Sequence, residues 1–172
     1  WSSGVCSSDL ETKPAKDEVS KEEYIQAIID DMDAAEKAGQ LIMADFRNNA
    51  DGTGMTVLSE EAKTAIQEYH VGGVILFAEN LDTKEQTQKL TADLQSAADY
   101  GMLIGIDEEG GLVSRLKKSN IPHETFPDAA EIVDAAYEGK TIGTELAELG
   151  INVDFAPVAD VNTNPDNPVI GT

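Results

Sequence analysis

The stretch GGVILFAENLDTKEQTQKLTADLQSAADYGMLIGID, Gly72–Asp107, decides the fold class. It opens on a short apolar run, 72–77, and closes on another, 102–107. Between them, Thr83 to Tyr100 carries apolar residues at helical spacing. Apolar runs of this length without polar alternation are the pattern of parallel-sheet strands, which bury both faces. Strand, amphipathic helix, strand is a βαβ unit, and its crossover is right-handed in nearly every known case.

The alternation continues outward. Upstream, Gln40 to Phe46 (QLIMADF) reads as a buried strand before the turn-rich NNADGTG. Ser59 then caps a helix to Tyr69, with Ala62, Ala65, Ile66 and Tyr69 on one face. Further upstream, Ser20 and Glu23 have capping-box spacing, and Tyr24, Ile25, Ile28, Ile29 and Met32 predict one helix to about Ala38. Downstream, Glu131 to Leu149 predicts a helix and Ile151 to Ala156 (INVDFA) a fourth strand. The expected fold class is α/β. Four strands leave two architectures open on counting alone: an open doubly wound sheet, or part of a (β/α)8 barrel, which needs about 250 residues. No glycine fingerprint of the GxGxxG kind follows the first strand, so no dinucleotide cofactor is expected.

Composition excludes several function classes. The chain has 12 Lys and Arg against 33 Asp and Glu, a formal net charge of -21, which opposes contact with nucleic acid phosphates or anionic membrane surfaces. No apolar run approaches the roughly 18 residues of a membrane-spanning helix. The single cysteine, Cys6, rules out an internal disulfide and a cysteine-based zinc site. Asp160, Asn162 and Asn164 repeat the opening of a calcium loop, but Pro165 stands where glycine is required and Gly171 where a bidentate glutamate belongs. No metal site is expected. His70 and His123 lie in neither ligand nor triad spacing, and Ser114 lacks a nucleophile elbow.

Residues 1–19 read as a leader and spacer, of which 1–10 (WSSGVCSSDL) resemble a translated cloning or sequencing adapter. The Lys-, Glu- and Pro-rich ETKPAKDEVS fits a tether and leans toward a secreted or envelope-attached protein, with a cytoplasmic one as the alternative. A domain over 20–172 follows.

In α/β folds, ligands meet the carboxyl ends of the strands. Asp45 and Arg47 stand after the first predicted strand, Asp107, Glu108 and Glu109 after the third, Asp154 and Asp160 after the fourth. In IDEEGGLVSRL the three carboxylates precede two glycines suited to a tight turn, with Arg115 close enough to neutralise part of the charge. Adjacent acids repel one another, so an ion pair or a bound ligand for one of them is favourable. A carboxylate beside sugar hydroxyls accepts short charge-assisted bonds. The competing reading is a solvated acidic turn in an acidic protein.

Taken together, AEKAGQLIM, GGVILFAEN, IDEEGGLVSRL, the Phe126-Pro127 pair and LGINVDFAPVADVNTNPDNPVIG resemble the N-terminal barrel domain of glycoside hydrolase family 3, most closely its bacterial β-N-acetylglucosaminidase branch. The resemblance implies the N-terminal half, about four βα units, of a (β/α)8 barrel. It implies a retaining glycosidase that removes terminal N-acetylglucosamine from cell-wall or chitin-derived oligosaccharides through a covalent glycosyl-enzyme. Asp107 matches the family's sugar-binding aspartate. A carbohydrate is the implied partner, and no cofactor is implied. The family's KHFPGHGD motif and its aspartate nucleophile would fall beyond Thr172, so no residue here is expected to be catalytic and this chain alone is expected to be inactive and poorly stable. Leu112 departs from an arginine frequent in close relatives. A β-glucosidase of the same family and a non-catalytic carbohydrate-binding module are the alternatives.

Overall fold

The computed structural model describes residues 19–126, 134–164 and 166–168. The predicted leader up to residue 18, Cys6, Pro127, the start of the helix predicted from Glu131, and positions 165 and 171 lie outside them.

Two compact units divide the chain, 1–32 and 33–172. In the first, helix α1 (Lys21–Asp31) begins at Ser20, whose hydroxyl accepts the Glu23 N–H while the Glu23 carboxylate accepts the Ser20 N–H. None of its residues is buried. The single helix predicted to Ala38 is two helices. Met32 turns extended with ψ 137°, and Asp33 starts a second capping box with Glu36. An Asp that accepts two backbone N–H groups competes with helix continuation at its own position, which accounts for the break.

The second unit runs α2 (Ala34–Gly39), β1 (Met43–Asp45), α3 (Glu60–Glu68), β2 (Gly73–Leu76), α4 (Lys84–Ala97), β3 (Leu103–Ile106), α5 (Ala135–Glu148) and β4 (Val153–Asp154), with 3-10 turns at Ala78–Asn80 and Leu116–Lys118. Ser59, Thr83 and Asp134 cap α3, α4 and α5 through their side chains. The strands pair in parallel in the order β1-β2-β3-β4. Each is shorter than the apolar run that predicts it. Leu41, in the run predicted as the first strand, is a turn residue and 89% exposed.

This order separates the two architectures left open by counting. A doubly wound sheet reverses its strand order at a switch point, placing helices on both faces. Here the order advances without reversal, so right-handed crossovers put α3, α4 and α5 on one face, as in a barrel. The strand burial agrees. Val74, Leu76, Ile104 and Ile106 are fully buried in one cluster with Ile66, Leu90, Leu94, Ile142 and Leu146 of the helices. On the opposite face Leu103 is 54% exposed and Ile75 only partly buried. Burial of both faces, expected from the apolar runs, is complete on the helix side; on the opposite face it holds at Gly73 and Gly105 but not at Leu103. Tyr69, placed by its spacing on the buried face of α3, is 60% exposed because the helix ends at Glu68.

Candidate functional site

Three strand ends converge on a ladder of charged and aromatic groups. Beyond β1, the Arg47 guanidinium meets the Asp45 carboxylate at 3.3 Å. It also lies 3.5 Å from the centre of the Phe77 ring, which follows β2. The Arg115 guanidinium approaches the same ring at 5.3 Å and donates to Asp107 Oδ2 at 2.7 Å beyond β3. The order across the strand ends is thus carboxylate, guanidinium, ring, guanidinium, carboxylate. Both Arg Nε atoms are buried and have no hydrogen-bond partner among the described residues.

Asn80 fixes the loops that carry this ladder. Its side chain is fully buried; it accepts the Phe77 N–H at 2.9 Å and donates toward the carbonyls of Phe46, Arg47 and Met55. One amide therefore ties the chain after β2 to the chain after β1.

The acidic triplet is not a solvated turn. Asp107 is paired with Arg115, and Glu108 is buried at 3% exposure. Glu108 Oε2 accepts the backbone N–H groups of Arg115 and Leu116 at 2.8 and 3.0 Å. Glu109 is partly buried; its carboxyl is pushed above the usual range by desolvation, then by the charge of Asp107. The turn closes through the Glu109 N–H to the Val113 carbonyl at 3.0 Å. Gly110 sits inside it at φ 82°, where a Cβ would stand 2.8 Å from Glu138 Oε1 of α5.

From β4, Asp154 Oδ1 accepts the Glu108 N–H at 2.9 Å. Burial, reinforced by the charges of Glu108, Asp107 and Glu109, raises its carboxyl to about 6 although the Glu108 N–H favours the anion. Asp160 is exposed, and no hydrogen bond links it to this cluster among the described residues. The structure thus brings together Asp45, Arg47, Asp107, Glu108, Glu109, Arg115 and Asp154 of the residues read from sequence, and adds Phe77 and Asn80. The signal for Phe77 was its place as the last residue of an apolar run. A lone Asn three residues before a helix cap gave none.

His70 precedes β2 at the amino ends of the strands, and His123 lies in the connection from β3 to α5, where its buried Nε2 has no partner among the described residues. His70 Nδ1 pairs with Asp99 at 2.7 Å, and His123 Nδ1 with the Ile121 carbonyl at 2.8 Å. No cluster of three metal-ligating side chains occurs among the described residues, and no described helix is long and apolar enough to cross a membrane.

An advancing parallel sheet with its helices on one face and a charged, arginine-braced carboxylate at the carboxyl ends of its strands has the layout of a (β/α)8-barrel enzyme. Residues 34–172 match the glycosyl hydrolase family 3 N terminal domain, and the chain belongs to that family. It is 40% identical over 154 residues to β-hexosaminidase A of Pseudoalteromonas piscicida, covering 77% of this chain and 26% of that protein. A solved family 3 β-N-acetylglucosaminidase from Paenibacillus sp. str. FPU-7 is 41% identical, with a TM-score of 0.68 over 81% of this chain and 27% of its own. NagZ from Neisseria gonorrhoeae, solved in complex with N-trifluoroacetyl-D-glucosamine, is 28% identical, with a TM-score of 0.56 over 70% of this chain and 36% of its own. The chain thus spans about a quarter to a third of the length of these relatives.

Proposed function

We propose that this chain supplies the sugar-binding wall of a retaining glycosidase that releases terminal β-linked N-acetylglucosamine, with Asp107 as its contact to the sugar hydroxyls. The observation that carries this reading is Asp107 itself. It stands at the carboxyl end of β3, and Arg115 engages its Oδ2. A carboxylate braced on one oxygen by a guanidinium accepts hydroxyl protons on the other with its geometry already set. The names of the relatives favour an N-acetylhexosamine as the sugar. The acid/base and the nucleophile belong to segments following this region, and the barrel half described here orients the sugar rather than cleaving it.

Two assays test the proposal. A polypeptide extending this chain to the length of its relatives is expected to hydrolyse an aryl N-acetyl-β-glucosaminide and to leave an aryl β-glucoside nearly untouched, whereas residues 1–172 alone turn over neither. Preference for the glucoside moves the reading to a β-glucosidase. Turnover by residues 1–172 overturns the division of labour.

A further inference from the structure

A buried carboxylate without a cation is costly unless its lone pairs are taken up by donors. Glu108 is such a group, and its donors are informative. They are not neighbours along β3 but the backbone N–H groups of Arg115 and Leu116, seven and eight residues further on. These two N–H groups open the 3-10 turn Leu116–Lys118, where no earlier carbonyl of the turn can bond them. Glu108 therefore caps that turn from a distance and draws the returning loop onto the end of β3. The loop between is pinned independently, by the Glu109 N–H to Val113 and by Lys117 Nζ on the Gly111 carbonyl. The base of the pin is held in turn, because the Glu108 N–H donates to Asp154 of β4.

We propose that Glu108 is a positioning residue for Asp107: by holding the backbone of Arg115 it sets where the guanidinium meets the Asp107 carboxylate. The residue that grips by its side chain and the residue it serves are consecutive just past the end of β3, and their side chains take different partners, the backbone of Arg115 and Leu116 for Glu108 and the Arg115 guanidinium for Asp107. Asp107 faces the ladder and Glu108 the interior, where it acts on Asp107 only through Arg115. The inference rests on Asp107 as the sugar contact, and the test separates the two.

In the polypeptide extended to the length of the relatives, the Arg115 side-chain Nε–Hε signal in a ¹H–¹⁵N spectrum reports the guanidinium, and titration with N-acetylglucosamine reports the sugar site. Glu108→Gln keeps an oxygen that can accept both N–H groups. Glu108→Asp keeps the charge but is one methylene too short. Glu108→Gln is expected to leave the Arg115 signal in place and the affinity nearly unchanged, while Glu108→Asp collapses the signal toward that of a free arginine and weakens the sugar about tenfold. An Arg115 signal unchanged in Glu108→Asp overturns the proposal. So does one lost in a folded Glu108→Gln, since charge and not the two accepted bonds would then be what holds Arg115. If the signal responds as expected but no variant, nor the parent, binds the sugar, positioning stands and the assignment of Asp107 to the sugar fails. Amide exchange in the unsubstituted chain reads the pin even if Glu108→Asp does not fold: protection at Arg115 and Leu116 is expected, and exchange at open-loop rates overturns it.

Discussion

At the amino ends of the strands polar groups close on one another, with Gln40 donating to the His70 carbonyl at 2.8 Å, His70 pairing with Asp99, and Asn152 bonding across to β3 at the Ile104 N–H. At the carboxyl ends two arginines keep a buried Nε without a partner among the described residues, and Asp154 holds a proton to about pH 6. The same sheet thus has one edge built for closure and one that carries unspent charge. Unsatisfied polar groups and displaced pKa values concentrate where a protein binds or reacts. The unpartnered guanidinium nitrogens and the raised carboxyl of Asp154 support the carboxyl edge as the working one.

Substitutions at the two edges sharpen this contrast. The largest effect is expected at the closed edge. A Cβ on Gly39 would stand 2.0 Å from the Tyr69 carbonyl oxygen, and backbone cannot step aside as a side chain can. Gly39→Ala should lower the melting temperature by about 6 to 12 °C, equivalent to ~3 kcal/mol in a chain of this size. An unchanged melting temperature would mean that α2 does not pack there. Next comes Asn80→Ala at the open edge, which orphans the Phe77 N–H and three carbonyls and should cost about 2 kcal/mol in chemical denaturation.

A smaller effect of opposite sign is expected at Asp154. Its folded pKa of about 6 lies above the ordinary 3.8, so its contribution is fully favourable below pH 3.8 and is lost as the pH rises through 6. Asp154→Asn, which retains an oxygen for the Glu108 N–H, should therefore stabilise the chain at pH 7 by on the order of 1 kcal/mol, with the gain vanishing by about pH 4. Denaturation midpoints at both pH values check this, and destabilisation at pH 7 would contradict it. The smallest effect belongs to His70, whose pKa is raised by its bond to Asp99 and then by the charge of Asp99 after desolvation is set against it. The pair stabilises the fold below pH 6.5, and that stability fades as the pH rises through the higher folded value. His70 adopts φ 51°, which Asn tolerates, so His70→Asn should lower the melting temperature slightly at pH 6 and not at pH 9.

The strands were legible because a buried parallel strand leaves a continuous apolar run, as in GGVILF and MLIGID, and their ends were blurred because flanking residues such as Met102 are equally apolar and equally buried without pairing in the ladder. The break after α1 was also written in the sequence, as Asp33 and Glu36 at capping-box spacing, but the apolar periodicity running to Met32 and beyond concealed it. At the site, Asp107 and Arg115 were readable as opposite charges one short turn apart. The burial of Glu108 was not, because three consecutive acids read as solvent-facing and only the fold brings the Arg115 and Leu116 N–H groups to the middle one. Asn80 was hidden for the same reason: three of its four partners lie 25 to 34 residues away in sequence.

The central claim is that Asp107 is the sugar contact of the open edge, and kinetics of Asp107→Ala test it most directly. In a polypeptide extended to the length of the relatives, the substitution should lower kcat/KM on an aryl N-acetyl-β-glucosaminide by about a hundredfold, the loss of one charge-assisted bond held in place by Arg115, while the melting temperature stays near that of the parent. A variant that is folded and retains the parent kcat/KM would contradict the account.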